Sequence, residues 1–153
     1  MFLLLPIGTD APRRRRPTVN YALIAVNVAA FVVFNILATG SLRQGGPTEG
    51  SYLLEVKNDL ILWPASPLLY QFLTYQFLHA NWWHILGNMW FLYLFGNPVN
   101  SKMGHIPYLF FYLAGGVFAG LGFSLMEVYN PVVGASGAIA AVTTAYLVLY
   151  PRS

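Results

Sequence analysis

Ser136 sits in "GASG", residues 134–137, and His84 and Asn88 sit four residues apart in "HANWWHILGNM", residues 79–89. A serine between small residues, an imidazole and a carboxamide are the parts of an acyl-transfer site. A serine nucleophile needs a base to take its proton and donors aimed at the oxyanion that develops on the attacked carbonyl. Asn88 carries an amide donor and His84 can donate from one ring nitrogen, so both suit an oxyanion hole. Gly134 and Gly137 let a substrate approach the backbone around Ser136. Taken alone the motif is weak, because the spacing is GxSG, not GxSxG. No Asp or Glu stands near to orient a triad, which makes a Ser–His dyad the more natural arrangement. A bland reading stands beside this one: Ser, Asn and His serve as glue between membrane helices, and glycines permit close packing.

The elements that must position these residues are membrane spans. Of 153 residues, 57% are hydrophobic and 8% charged, against about 25% charged in soluble proteins. The composition specifies an integral membrane protein. There is no cysteine, hence no disulfide and no thiolate nucleophile. The net charge of +3 is concentrated at Arg13 to Arg16 and reads as a topology signal, which argues against nucleic acid as a partner. The N-terminal "MFLLLPIGTDAPRRRRP" is not a secretory signal, since its charges follow the short apolar run.

A span needs about 20 mostly apolar residues. Four stretches are predicted, roughly 21–38, 82–95, 106–126 and 132–150. The expected fold is all-α, a polytopic transmembrane helix bundle, as one domain. Residues 39–81 carry Tyr52, Trp63, Tyr70, Phe72, Tyr75 and Phe77 and read as a structured loop in the membrane interface, where Pro64 and Pro67 bar a long helix. The positive-inside rule places both termini in the cytoplasm: Arg13 to Arg16, Lys102 and Arg152 are then inside, with Arg43 and Lys57 outside. In that orientation the second and fourth spans both run inward. His84 and Asn88, on one helix face, then meet Ser136 in the outer half of the bilayer, where polar residues face the bundle interior and mark function.

The order of these segments resembles the rhomboid intramembrane serine proteases. "RRRRPTVNYALIAVNVAAFVVF" is similar to that family's first span, and "LTYQFLHANWWHILGNMWFLYLFG" to its His-x-x-x-x-His-x-x-x-Asn second span. "GHIPYLFFYLAGG" is similar to the third and "GASGAIAAVTTAYLVLYPR" to the nucleophile span. The resemblance implies that Ser136 is the nucleophile. Its backbone N–H, with His84 and Asn88, would form the oxyanion hole, and His79 would be structural, under the first loop. It also implies transmembrane protein substrates in a multi-pass protein of a bacterial-type plasma membrane. The family has six spans and a base histidine on the sixth. Here the chain gives four of the six, and its histidines are His79, His84 and His105. The expectation is a C-terminally truncated N-terminal portion without its general base. Asn100 stands where the family has an acidic residue bonded to the first loop, and Thr144 where it often has glycine.

Other features read plainly. Gly116 and Gly120 form a GxxxG pattern, for ordinary close packing or a dimer face. Trp82 and Trp83 read as interfacial anchors, and Asn27 and Asn35 as interhelical hydrogen-bonding groups. His79 and His84, five apart, are expected on different helix faces, and no metal-ligand set or cofactor motif is read. Ser136, Gly137, Ala140, Ala141 and Thr144 form a small-residue stripe that invites self-association through the fourth span. Three classes stay open: an intramembrane serine protease, a non-catalytic relative that binds transmembrane helices, and an unrelated transporter, which should show inverted repeats.

Overall fold

The computed structural model describes residues 15–39 and 49–151. Arg13, Arg14, Arg43 and Arg152, on which part of the charge argument rests, lie outside the described residues. All regular elements described are helical, apart from one isolated antiparallel bridge between Leu62 and Val132.

Helix α1 (Thr18–Phe31) follows Pro17 and passes into a π-helical stretch at Val32–Leu37. Helix α2 (Glu49–Leu60) lies within the predicted loop and stops before Pro64, whose ring would clash with a continuing helix. The loop continues through a short helix α3 (Gln71–Thr74) and a 3₁₀ turn at Tyr75–Phe77. Helix α4 (Trp82–Phe91) runs through a second π-helical stretch, Leu92–Gly96, into α5 (Asn97–Met103). Gly104, at φ 89°, turns the chain into α6 (His105–Met126), and α7 (Ser136–Leu149) closes the bundle.

Thr18–Leu37 and His105–Met126 are long and apolar enough to cross a membrane, by length and composition. The predicted first and third spans therefore have matching helices. The predicted second and fourth do not reach that standard. Residues 82–103 are helical throughout but carry Asn88, Asn97 and Asn100. The fourth apolar helix starts at Ser136, not at residue 132, and has 14 residues. Its predicted first turn is instead spent on the bridge at Val132 and on Gly134, whose φ of 119° no helix accommodates.

The core lies between α1, α4, α6 and α7, with Leu23, Leu92, Tyr108, Tyr112, Ala138 and Val142 buried in one cluster. Helices α6 and α7 approach closely because small residues face one another. A Cβ on Gly115 would stand 2.6 Å from Ala141 Cβ. Gly137 meets Ala119 in the same way. Gly137 and Ala141 are thus committed to α6, which splits the predicted small-residue stripe and leaves Ser136, Ala140 and Thr144 exposed. The glycines of the GxxxG pattern face the loop and are no dimer face: Gly116 packs on Gln76, and Gly120 on Leu62 and Tyr75.

A buried amide cluster ties α1 to the α4–α5 helix. Asn20 Nδ2 donates to Leu92 O (2.8 Å) and Asn97 Oδ1 (2.9 Å), and Tyr108 Oη donates to Asn20 Oδ1 (2.5 Å). The Leu92 carbonyl stands at the start of the π-helical stretch, where the regular helical ladder is interrupted. Asn100 Oδ1 accepts from Asn20 N (3.2 Å) and its amide donates to Gly104 O (3.2 Å). Among the described residues Asn100 therefore serves the first helix and the α5–α6 turn. Asn27 donates to Leu23 O within its own helix and also engages the Tyr112 hydroxyl of α6, as expected of an interhelical polar group.

Candidate active site

Asn81 fixes where the His84 helix begins. Its side-chain oxygen accepts from His84 N (3.0 Å), an N-cap that satisfies one of the first-turn donors. His79 therefore precedes the helix, and the five-residue spacing says nothing about helix faces. The His79 and His84 rings in fact meet edge to face, 5.1 Å between centroids.

His79 is fully buried, and Asn88 Nδ2 lies 3.0 Å from its Nε2. The amide nitrogen can only donate, so Nε2 accepts and the imidazole is neutral with its proton on Nδ1. Burial, and secondarily the neighbouring His84 ring, push the His79 pKa down to about 4. One N–H of the Asn88 amide is thereby held and the other is left over.

Gly134 approaches from the other chain segment. Its N–H donates to Tyr75 O (2.9 Å), and Tyr75 Oη donates to Gly116 O (2.6 Å), which ties the loop, α6 and the approach to α7 together. A Cβ on Gly134 would stand 2.6 Å from His84 Cε1, 2.7 Å from His84 Nε2 and 3.6 Å from Asn88 Nδ2. The "GASG" segment thus packs closely on His84, with Asn88 next to it, and leaves no room for a side chain at residue 134.

Ser136 opens α7 and is exposed. The amides of Ser136 and Gly137 belong to the first helical turn, where backbone N–H groups lack intrahelical partners and the helix dipole favours negative charge. His84, Asn88 and Ser136 share the wall of one groove of about 600 Å³ between α4 and α7. Gly87 and Phe91 line its α4 side, and Ala140, Thr143 and Thr144 its α7 side. The structure therefore brings Ser136, His84, Asn88 and Gly134 to one place, sets His79 behind Asn88, and turns Gly137 toward α6. His105 is elsewhere, near Thr18 and Asn100 at the start of α6. Among the described residues no group of three His, Asp or Glu side chains is placed to hold a metal.

The groove, the order of the segments and the profile of the chain agree. The family model of the Rhomboid domain matches residues 67–153, more than half of the sequence.

The chain belongs to the rhomboid family.

It is 44% identical over 82 residues to "Rhomboid-like protein 11, chloroplastic" of Arabidopsis thaliana, covering 53% of this chain and 29% of the relative. It is 29% identical over 123 residues to "Rhomboid-related protein 3" of Homo sapiens, covering 76% of this chain and 30% of the relative. The chain thus spans less than a third of the length of these two relatives. No solved structure matches it significantly. Family membership and the two apolar helices make this rhomboid chain a membrane protein.

Sequence reasoning named the three groove residues but missed two that place them. Asn81 was legible as an N-cap, an Asn immediately before an apolar helical run. Tyr75 was read only as one of several loop aromatics, and nothing in its local sequence announces a bond to Gly116 across the fold.

Proposed function

We propose that this rhomboid chain carries the nucleophile and oxyanion side of an intramembrane serine protease. Ser136 Oγ attacks a peptide carbonyl of a transmembrane substrate. The carbonyl oxygen gains negative charge as the Oγ–C bond forms. Ser136 N–H, the free Asn88 N–H and a His84 ring N–H receive it. His84 in this role keeps a donor proton and is not the base. In support, His84, Asn88 and Ser136 line one groove between α4 and α7. The proton of Ser136 passes to a histidine that is not among His79, His84 and His105. We further propose four spans with both termini cytoplasmic, residues 39–81 lying in the outer interface, all within one membrane domain.

The observation that carries this reading is the close approach of Gly134 to His84, beside Asn88, in a groove that Ser136 shares with both. A second reading, a non-catalytic rhomboid that binds transmembrane helices, is favoured by one observation: among the described residues no imidazole is hydrogen-bonded to the Ser136 hydroxyl, since His79 is engaged by Asn88 and His105 lies by Thr18 and Asn100. Cleavage of a transmembrane substrate by a protein containing this chain separates the two. Ser136→Ala should abolish it, and Asn88→Ala should slow it by about 10²–10³-fold, the loss expected for one oxyanion donor. Undiminished cleavage by Ser136→Ala would rule out the mechanism.

A further inference from the structure

The π-helical stretch at the outer end of the first span carries Asn35, and both ends of its amide are engaged. Lys57 Nζ, from helix α2 of the loop, donates to Asn35 Oδ1 at 2.6 Å. Asn35 Nδ2 donates to the backbone oxygen of His79 at 3.1 Å. His79 in turn receives Asn88 Nδ2 on its ring at 3.0 Å. Four residues from four segments thus form one hydrogen-bonded line. It runs from an interfacial helix, through the first span and the α4 entrance, to the groove that holds Ser136.

None of these links is explained by packing alone. An extra residue per turn changes which side chains share a helix face, and π-helical segments are frequent where a function demands it. Lys57 is a cation taken partly out of water, and burial holds its pKa below the ordinary lysine value. A lysine spent on a carboxamide oxygen is worth that desolvation only if the amide's orientation matters. The His79 ring is fully buried and packed edge-on against His84, so with little freedom of its own it follows the backbone that Asn35 holds, and through it the Asn88 amide is placed.

We propose that Asn35 and Lys57 are positioning residues that orient the Asn88 amide through His79, so that loop helix α2 controls the geometry of the oxyanion donor. The catalytic consequence rests on the protease reading, whereas the orientation of Asn88 does not. One held N–H leaves the second with a single direction. Released, the amide rotates about its terminal torsion, and a misplacement on the order of 1 Å can cost about 10²-fold in rate.

The test uses the 153-residue chain in detergent micelles with ¹⁵N-asparagine, reading hydrogen exchange of the Asn88 side-chain amide. Asn88 is assigned by its loss in Asn88→Gln. Lys57→Met, which touches only the outermost link, should speed that exchange by about 10-fold with the melting temperature unchanged, and Lys57→Arg should restore it. Asn35→Leu should release it further. His79→Gln, which keeps an acceptor, should hold it more closely than His79→Leu. Unchanged Asn88 exchange in both Lys57→Met and Asn35→Leu overturns the proposal. So does a change that Lys57→Arg fails to rescue. In a cleavage-competent protein, Lys57→Met should lower kcat and leave KM alone. Absence of cleavage from this chain joined to the fifth and sixth spans of an active family protease would sink the protease reading while the exchange data still decide the positioning claim.

Discussion

Adding one methyl group at Gly134 tests the site's architecture. The Cβ of Gly134→Ala would lie 2.6 Å from His84 Cε1 and 2.7 Å from His84 Nε2, whereas carbon contacts settle at about 3.5–4.0 Å. The imidazole must therefore retreat by about 1 Å. It cannot do so toward His79, whose ring stands edge-on at 5.1 Å and is fully buried. It must swing into the groove. Two costs add. A φ of 119° in a residue with a side chain costs about 1–3 kcal/mol, and forcing His84 out of its packed rotamer costs about 1–3 kcal/mol, giving roughly 2–6 kcal/mol together. The control is Gly122→Ala in α6, where a Cβ meets nothing within 4 Å and the helix gains up to about 1 kcal/mol from the better helix former. Reversible unfolding in mixed micelles, followed by tryptophan fluorescence, measures both. Imidazole ¹⁵N shifts of His84 report the displacement. A Gly134→Ala protein as stable as the Gly122→Ala protein, with the His84 resonances unmoved, would refute the contact between the "GASG" backbone and the oxyanion donors.

Acid should destabilise the protein through His79. Its folded pKa of about 4 lies below the ordinary 6.5, so between these values the unfolded chain binds the extra proton and stability rises with pH. The contribution is complete above about pH 6.5, fades as pH falls to about 4 and is flat below. It amounts to at most about 3 kcal/mol, at 1.36 kcal/mol per unit. His79→Gln should lose that slope, and an equal slope in both proteins would show that another group causes it. Topology is testable because the chain has no cysteine: a cysteine at Ser153 should be labelled only from the cytoplasmic side and one at Tyr129 only from outside, and the opposite pattern would invert the orientation.

The i, i+4 spacing of His84 and Asn88 made their shared face legible, because helical geometry alone sets it. The convergence with Ser136 was legible too, since an expected common direction of the second and fourth segments put their early residues level. His79 was misplaced because the spacing argument assumed a helix already running at residue 79, whereas the Asn81 cap starts it at Trp82. The π-helical stretches at Val32–Leu37 and Leu92–Gly96 were invisible. No propensity announces them, and their partners, His79 and Lys57 in one case and Asn20 in the other, lie far away in sequence. The small-residue stripe of α7 was recognisable as small, but which half faces α6 depends on Gly115 and Ala119, on another helix. Asn100 was legible as a departure from the family's acidic residue, but not its bond to Asn20, which is set by the approach of α1.

The central claim is that Ser136 is a nucleophile whose oxyanion donors are in place and whose base comes from a histidine other than the three in this chain. A fluorophosphonate probe with mass-spectrometric mapping tests it most directly. Residues 1–153 alone should show negligible labelling, since a serine hydroxyl without an adjacent base is a poor nucleophile. Joining the chain to the fifth and sixth spans of an active family protease should give labelling at Ser136, and Ser136→Ala should remove it. Rapid labelling of Ser136 in the 153-residue chain alone, or none at Ser136 in the joined protein, would contradict the account.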